Sequence, residues 1–148
     1  MTETADPRVI EIDQFYPHPP RRVWQALTTP ELIARWLMEP SGFKPVVGTR
    51  FSFRGQPMPS ADFSGEIACE VIDVVDGEQL TISWADAHSD KPAAWIVSWT
   101  LHPEGAGTRV ILRHSGFDPD DAVQQRSRTI MGNGWARIAD QLGEVLGS

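Results

Sequence analysis

The chain has 148 residues, 41% of them hydrophobic, a formal net charge of −7 and one cysteine. A chain of this size is expected to fold as one domain around one core. Its acidic balance, with no basic cluster larger than Arg21-Arg22, argues against the concentrated cationic groove that nucleic acids require. No apolar run approaches the ~20 residues that span a bilayer. The opening "MTETADPRVIEID" shows neither a charged nor an apolar leader region, and Cys69 alone permits no internal disulfide and no multi-cysteine zinc site. The expectation is a soluble, cytoplasmic protein with no cofactor indicated.

In chain order, "RVIEIDQFY" (8 to 16) reads as a short strand with Ile10 and Ile12 on one face, ended by "PHPP" because proline cannot donate to a sheet ladder. Pro19 or Pro20 fits the first turn of a helix in which Val23, Ala26 and Leu27 recur at helical spacing beside Trp24. A second short helix opens at "TPELIARWL", with Thr29 as N-cap, Pro30 in the first turn and Leu32, Ile33, Trp36 and Leu37 on the apolar face. After Gly42 the period changes to two. "GTRFSFRG" sends Phe51 and Phe53 to one side, and "FSGEIACEV" alternates Phe63, Gly65, Ile67, Cys69 and Val71 against polar neighbours, with a slip of phase near Ile72 that predicts a bulge. "EQLTISWA", "AWIVSWTL" and "TRVILRH" continue the alternation through Leu80, Ile82 and Trp84, then Trp95, Val97, Trp99 and Leu101, then Val110, Leu112 and His114, with hairpin turns at Asp76-Gly77 and in "EGAG" at 104 to 107. From Val123 to Val145 apolar residues return to steps of three, four and seven, a helix that must lie across one sheet face for both to bury their apolar sides.

The pair His114-Ser115 invites a reading as base and nucleophile. Adjacent strand residues point to opposite faces, however, and no G-x-S-x-G turn is present to expose the serine. His114 reads either as a polar contact inside an apolar pocket or as a packed histidine bonded within the core. His18, His88 and His102 share no metal-ligand spacing. Asp118, Asp120 and Asp121 lack the glycine and distal glutamate of a calcium loop and read as negative charge placed at the start of the last helix. The glycines of "PEGAG" belong to a hairpin, and Cys69 on an apolar strand face reads as an inert core thiol.

Six tryptophans carry more information than any of these groups, since each indole buries roughly 150–250 Å². Trp24 and Trp36 are assigned to anchoring the helix pair. Trp84, Trp95, Trp99 and Trp135 fall on faces that meet between sheet and last helix, as a filled core or as the walls of a pocket in which His114, with Arg50 or Ser98, supplies polar contacts. Gly132 and Gly134 interrupt the last helical pattern. They signal a close approach to the sheet, space for a ligand, or, more simply, a kink or a helix that starts near residue 133.

The segments "PPRRVWQALTTPELIARWL", "FSGEIACEVIDVVDGEQLTISW", "GTRVILRHSGF" and "GWARIADQL", in this order and spacing, resemble the START-like (SRPBCC) superfamily, and within it the family related to the activator of the Hsp90 ATPase. The resemblance covers almost the whole chain. It implies an α+β helix-grip fold: a curved antiparallel sheet of about six strands wrapped around a long C-terminal helix, with two short helices after the first strand and an apolar cavity between sheet and helix. The co-chaperone matches this chain only in its second domain, and the sequence shows no counterpart of the separate N-terminal domain that engages the chaperone. Other members are resistance proteins and small bacterial proteins that hold a hydrophobic ligand. The reading is a single domain, 1-148, binding a hydrophobic or aromatic small molecule, with Trp36, Phe51, Phe53, Trp84 and Trp95 together with Trp99, His114, Phe117, Met131 and Trp135 as pocket residues. Two alternatives stay open. One is a chaperone-associated or stress-related interaction module, with a chaperone or a second copy of the chain as partner. The other is an enzyme acting on a bound polyketide-like or aromatic substrate with His114 as acid or base. A tightly filled interior favours the module; an open pocket with His114 reaching free space favours the enzyme.

Overall fold

The computed structural model describes residues 6–57, 64–89 and 94–147. Strand β1 (Val9–Tyr16) is followed by helices α1 (Pro20–Thr28) and α2 (Pro30–Trp36), then by strands β2 (Glu39–Ser41), β3 (Arg50–Arg54), β4 (Glu66–Val75), β5 (Gln79–Asp86), β6 (Trp95–Glu104) and β7 (Gly107–Ser115), and last by helix α3 (Ala122–Leu146). The strands form one curved antiparallel sheet in the order β1-β7-β6-β5-β4-β3-β2. The seventh strand, beyond the six expected, is the three-residue β2, whose "EPS" carries no alternating pattern and which exists by pairing with Arg54, Phe53 and Ser52 of β3. Phe63, part of the alternation read in the sequence, lies outside the described residues. Among the described residues, no helix is long and apolar enough to cross a membrane.

Local chemistry accounts for the boundaries. Pro19 is the N-cap of α1 and Pro20 its first helical residue, where a missing N–H costs nothing. Thr29 does stand at the N-cap of α2, but its hydroxyl makes no cap bond. Asp121 caps α3, its carboxylate accepting from the amides of Val123 and Gln124 at 2.9 and 3.3 Å. At the other end Arg22 of α1 donates twice to the carbonyl of Leu146, at 3.0 and 2.9 Å, satisfying a terminal oxygen with a cation that complements the helix dipole. The Asp76-Gly77 turn holds Gly77 at φ 75°, and the slip in phase at Ile72 is a register shift between Val71 and Asp73.

Helix α3 runs unbroken through Gly132 and Gly134, so it neither starts near residue 133 nor uses them to approach the sheet. A Cβ at either position would meet no atom within 4 Å. The helix lies against β1, α1 and α2. The middle of the sheet is reached through a layer of large side chains instead, and those side chains form the core: Trp84, Val97, Trp99, Leu112 and His114 from the strands, Trp135 and Leu142 from α3, Trp36 from α2.

Candidate functional site

His114 is the one histidine that the fold takes fully out of water, at 0% exposure. The alternation of β7 turns it inward with Val110 and Leu112, opposite Val97 of β6 and Ile10 of β1, while Ser115 falls on the other face. Immediately after, Gly116 adopts φ 102°, and a side chain there would collide with the carbonyl oxygen of Ala94. The amides of Gly116 and Phe117 both donate to Arg8, and the chain turns Phe117 back over the imidazole, ring centroids 4.7 Å apart.

From the other side Trp135 of α3 donates its indole N–H to His114 Nδ1 at 3.0 Å. An indole nitrogen only donates, so Nδ1 is the accepting nitrogen and the imidazole proton sits on Nε2. Burial among rings pushes the histidine down to about 3, keeping it neutral across the physiological range. Among the described residues, Nε2 has no hydrogen-bond partner, and neither has the indole nitrogen of Trp95, whose ring stands nearly perpendicular to the imidazole at 5.2 Å. Two shielded donors within one ring cluster therefore lack acceptors.

The structure brings the aromatic residues read in the sequence as pocket walls into one continuous chain of contacts. Trp84 sits 6.1 Å from His114 and 5.2 Å from Trp135, and Trp95 lies 4.8 Å from Phe117. Phe53 extends the chain from Trp84, Phe51 from Phe53, Trp99 from Trp135 and Trp36 from Trp99. Met131 is partly buried against the same core. Trp36 also ties the helix pair, donating to the Ala26 carbonyl at 2.8 Å. Arg50 and Ser98 do not join them. The Arg50 side chain is 86% exposed beside Glu70, and Ser98 stands on the opposite face of β6 from Trp99, because strand parity sends both outward.

The apolar cavity implied by the fold is closed in this conformation. Among the described residues, water-sized voids lie between Tyr16, Trp36, Trp99, Trp135 and Leu142, about 20 Å³, and between Leu27, Phe43, Phe51, Leu80 and Trp99, about 10 Å³. Neither reaches His114. Tyr16 and Phe43 were not singled out in the sequence. Tyr16 shares the face of Ile10 and Ile12 by parity, which was signal enough; its hydroxyl donates to the Ala139 carbonyl at 2.7 Å, and burial, with Asp140 adding to it, raises its pKa.

This geometry can bind but offers little for acid-base chemistry. The accepting lone pair of His114 is occupied by Trp135, and the serine beside it faces away. Cys69 is pushed up to about 12 by burial, which leaves it an inert thiol. His18 and His88 lie outside the strands, and His102 is exposed on β6. Among the described residues no group of three histidine, cysteine or acidic side chains could hold a metal.

An antiparallel sheet gripping a long C-terminal helix, with a helix pair inserted after the first strand, defines a START-like helix-grip domain. Residues 17–147 match the family model described as activator of Hsp90 ATPase homolog 1-like protein. The chain belongs to that family. It is similar to the solved structure of protein MLL2253 from Mesorhizobium loti, with 33% identity, 95% of this chain and 97% of that one covered, and a TM-score of 0.82. It is also similar to CalU16 from Micromonospora echinospora, at 28% identity over 93% of this chain and 75% of that one, TM-score 0.74. The Aha1 dimer from Colwellia psychrerythraea shares the fold at 20% identity, covering 93% and 95% of the two chains with a TM-score of 0.76. Comparison with curated proteins found no match.

Proposed function

We propose that this domain binds a small apolar or aromatic molecule between the sheet and α3, the ligand taking the place of ring-on-ring packing that closes the interior when it is empty. The observation that carries this reading is the pair of shielded, unpartnered donors on His114 and Trp95 inside an otherwise apolar aromatic cluster. Leaving a buried donor unsatisfied costs roughly 1–3 kcal/mol, and a core serving packing alone gains nothing from two of them. Binding sites for small molecules combine apolar walls with a few placed polar groups, which is the composition found here. The pocket residues are those of the aromatic chain: Trp36, Phe51, Phe53, Trp84 and Trp99, then Trp95, His114, Phe117, Met131 and Trp135.

Titrating the protein with an uncharged aromatic probe should quench its tryptophan fluorescence saturably, and Trp99→Phe and Trp135→Phe should weaken that response. Saturable quenching unchanged in both variants places binding elsewhere and removes the proposal. The filled interior gives specific support to a second reading, an interaction module, for which exposed Val46 and Val47 at 58% and 60% offer apolar surface. Stimulation of Hsp90 ATP hydrolysis by a chain that binds no aromatic probe is the result that favours it.

A further inference from the structure

We infer that the turn at Val46-Val47 and the bulge at Ile72 form a docking surface for a cationic segment of a partner protein, a short apolar core flanked by lysine or arginine. The surface is outside the interior site, and its use does not depend on a ligand there. Val46, Val47, Ile72 and Val75 are between 40% and 60% exposed, and none of them packs against the core. The backbone brings the turn to the bulge. The Thr49 amide donates to the Val46 carbonyl at 3.1 Å, with Gly48 at φ 91° completing the turn. The Gly48 amide then donates to the Val71 carbonyl at 2.8 Å, and the Val71 amide to the Thr49 carbonyl at 2.9 Å, so the valines leave the sheet next to Ile72. In β4, Val71 faces Ile82 and Asp73 faces Thr81, which leaves Ile72 as the extra residue of the bulge. Bulges re-aim side chains, and this one sets an isoleucine on the surface. Tight turns are ordinarily built from Gly, Asn, Asp, Ser or Pro, and the core gains nothing from two valines here.

The charges around the patch select the partner. Asp73, Asp76 and Glu78 lie on the β4–β5 hairpin that carries Ile72 and Val75, and among the described residues none of the three has a cationic partner. Asp73 accepts from the Gln79 side-chain amide at 3.4 Å, which supplies no charge. Arg50 is taken by Glu70 at 3.6 Å, and Lys44 stands two residues before Val46. The rim therefore sets three carboxylates against one ammonium. A cationic segment neutralises them while its apolar side chains cover the valines and Ile72, the arrangement of apolar centre and polar rim that transient interfaces use. A second copy of the chain fits poorly, because the contact would gather the same carboxylates between two molecules of net charge −7. Nucleic acids and anionic lipid surfaces are repelled for the same reason.

The test titrates the isotope-labelled full chain with three capped heptapeptides. The first alternates lysine with valine and isoleucine, the second puts serine in place of the apolar residues, and the third puts glutamate in place of lysine. The first should shift the backbone amide resonances of Val46, Val47, Ile72 and Val75 saturably and bind about tenfold or more tightly than either of the others. This mapping needs no variant. In Val47→Ser and in Ile72→Ser the affinity for the first peptide should fall about fivefold, with the melting temperature little changed because both side chains are exposed. In the double variant Asp73→Asn, Asp76→Asn it should fall similarly and lose part of its salt dependence. Equal binding of the lysine-serine peptide would show that net charge alone attracts it and would overturn the docking surface, as would shifts confined to other residues or no binding of the first peptide. Concentration-dependent dimerisation that moves the same four amides without peptide would overturn the cationic partner in favour of a second copy. Each of these failures leaves the interior site standing, since the aromatic-probe titration tests that separately.

Discussion

His114 carries the sharpest consequences at the scale of single residues. In the folded chain it is neutral down to about 3, whereas in the unfolded chain an ordinary histidine takes up its proton near 6.5. Between those values the unfolded state binds the extra proton. The histidine's contribution to stability is therefore complete above about pH 6.5 and lost progressively as pH falls toward 3, at a slope of at most about 1.4 kcal/mol per pH unit. Chemical denaturation from pH 7 to pH 5 should show this loss, and His114→Gln should flatten it. An equal slope in the variant would mean that the imidazole titrates freely. Trp135→Phe keeps most of the ring and removes the donor to Nδ1, so a stability loss of roughly 1–3 kcal/mol is expected. A loss no larger than that of an isosteric core exchange without a polar partner would show that the bond contributes nothing. The inward placement of His114, and Ser115 on the opposite face, was legible from strand parity alone. The identity of the partner on its Nδ1 was not, because no local pattern states that Trp135, 21 residues further along and on a different element, will stand over that strand.

At the scale of elements, helix α3 is fastened unevenly. Its C-terminal half buries Trp135, Leu142, Val145 and Leu146 and is tied by Tyr16 and Arg22, while its N-terminal half buries only Ser127 among the described side chains and is held by Arg128 to the Val9 carbonyl of β1 and by Gln125 to the Pro7 carbonyl before it. Gly132 and Gly134 lie near the change from one half to the other. Because a Cβ at either site meets open space, Gly132→Ala and Gly134→Ala should each stabilise the helix by roughly 0.5–1 kcal/mol. Melting temperatures that fall instead would mean the backbone there is not ordinary helix. Gly116 behaves in the opposite way: at φ 102° and pressed against Ala94, Gly116→Ala should cost more than about 1 kcal/mol and free Phe117 from the imidazole, seen as lost thermal stability. The long alternating strands, the helix pair with its prolines and the terminal helix could all be read from periodicity. The three-residue β2 could not, since pairing with β3 rather than any pattern of its own makes it a strand.

On the scale of the whole molecule, the sequence supplied a set of aromatic residues but not the answer to whether they line a space or fill it. That question turns on fractions of an ångström between rings contributed by six different elements, and packing at that level leaves no periodic trace. Among the described residues they fill it, leaving water-sized voids beside Tyr16 and beside Phe43. In the proposed function a guest replaces those ring contacts, a reading that the two unpartnered donors support. The outer face of the sheet carries ion pairs, Arg109 with Asp13 and Glu104 and Arg113 with Glu11, and gives no comparable apolar enclosure. The most direct measurement is an isotope-filtered NOE experiment on the labelled protein with 2-acetylnaphthalene bound. Cross-peaks from the probe to the indole protons of Trp84, Trp95, Trp99 and Trp135 are the predicted result. Cross-peaks confined to surface residues such as Val46 and Val47, or none at saturating probe, would contradict the account.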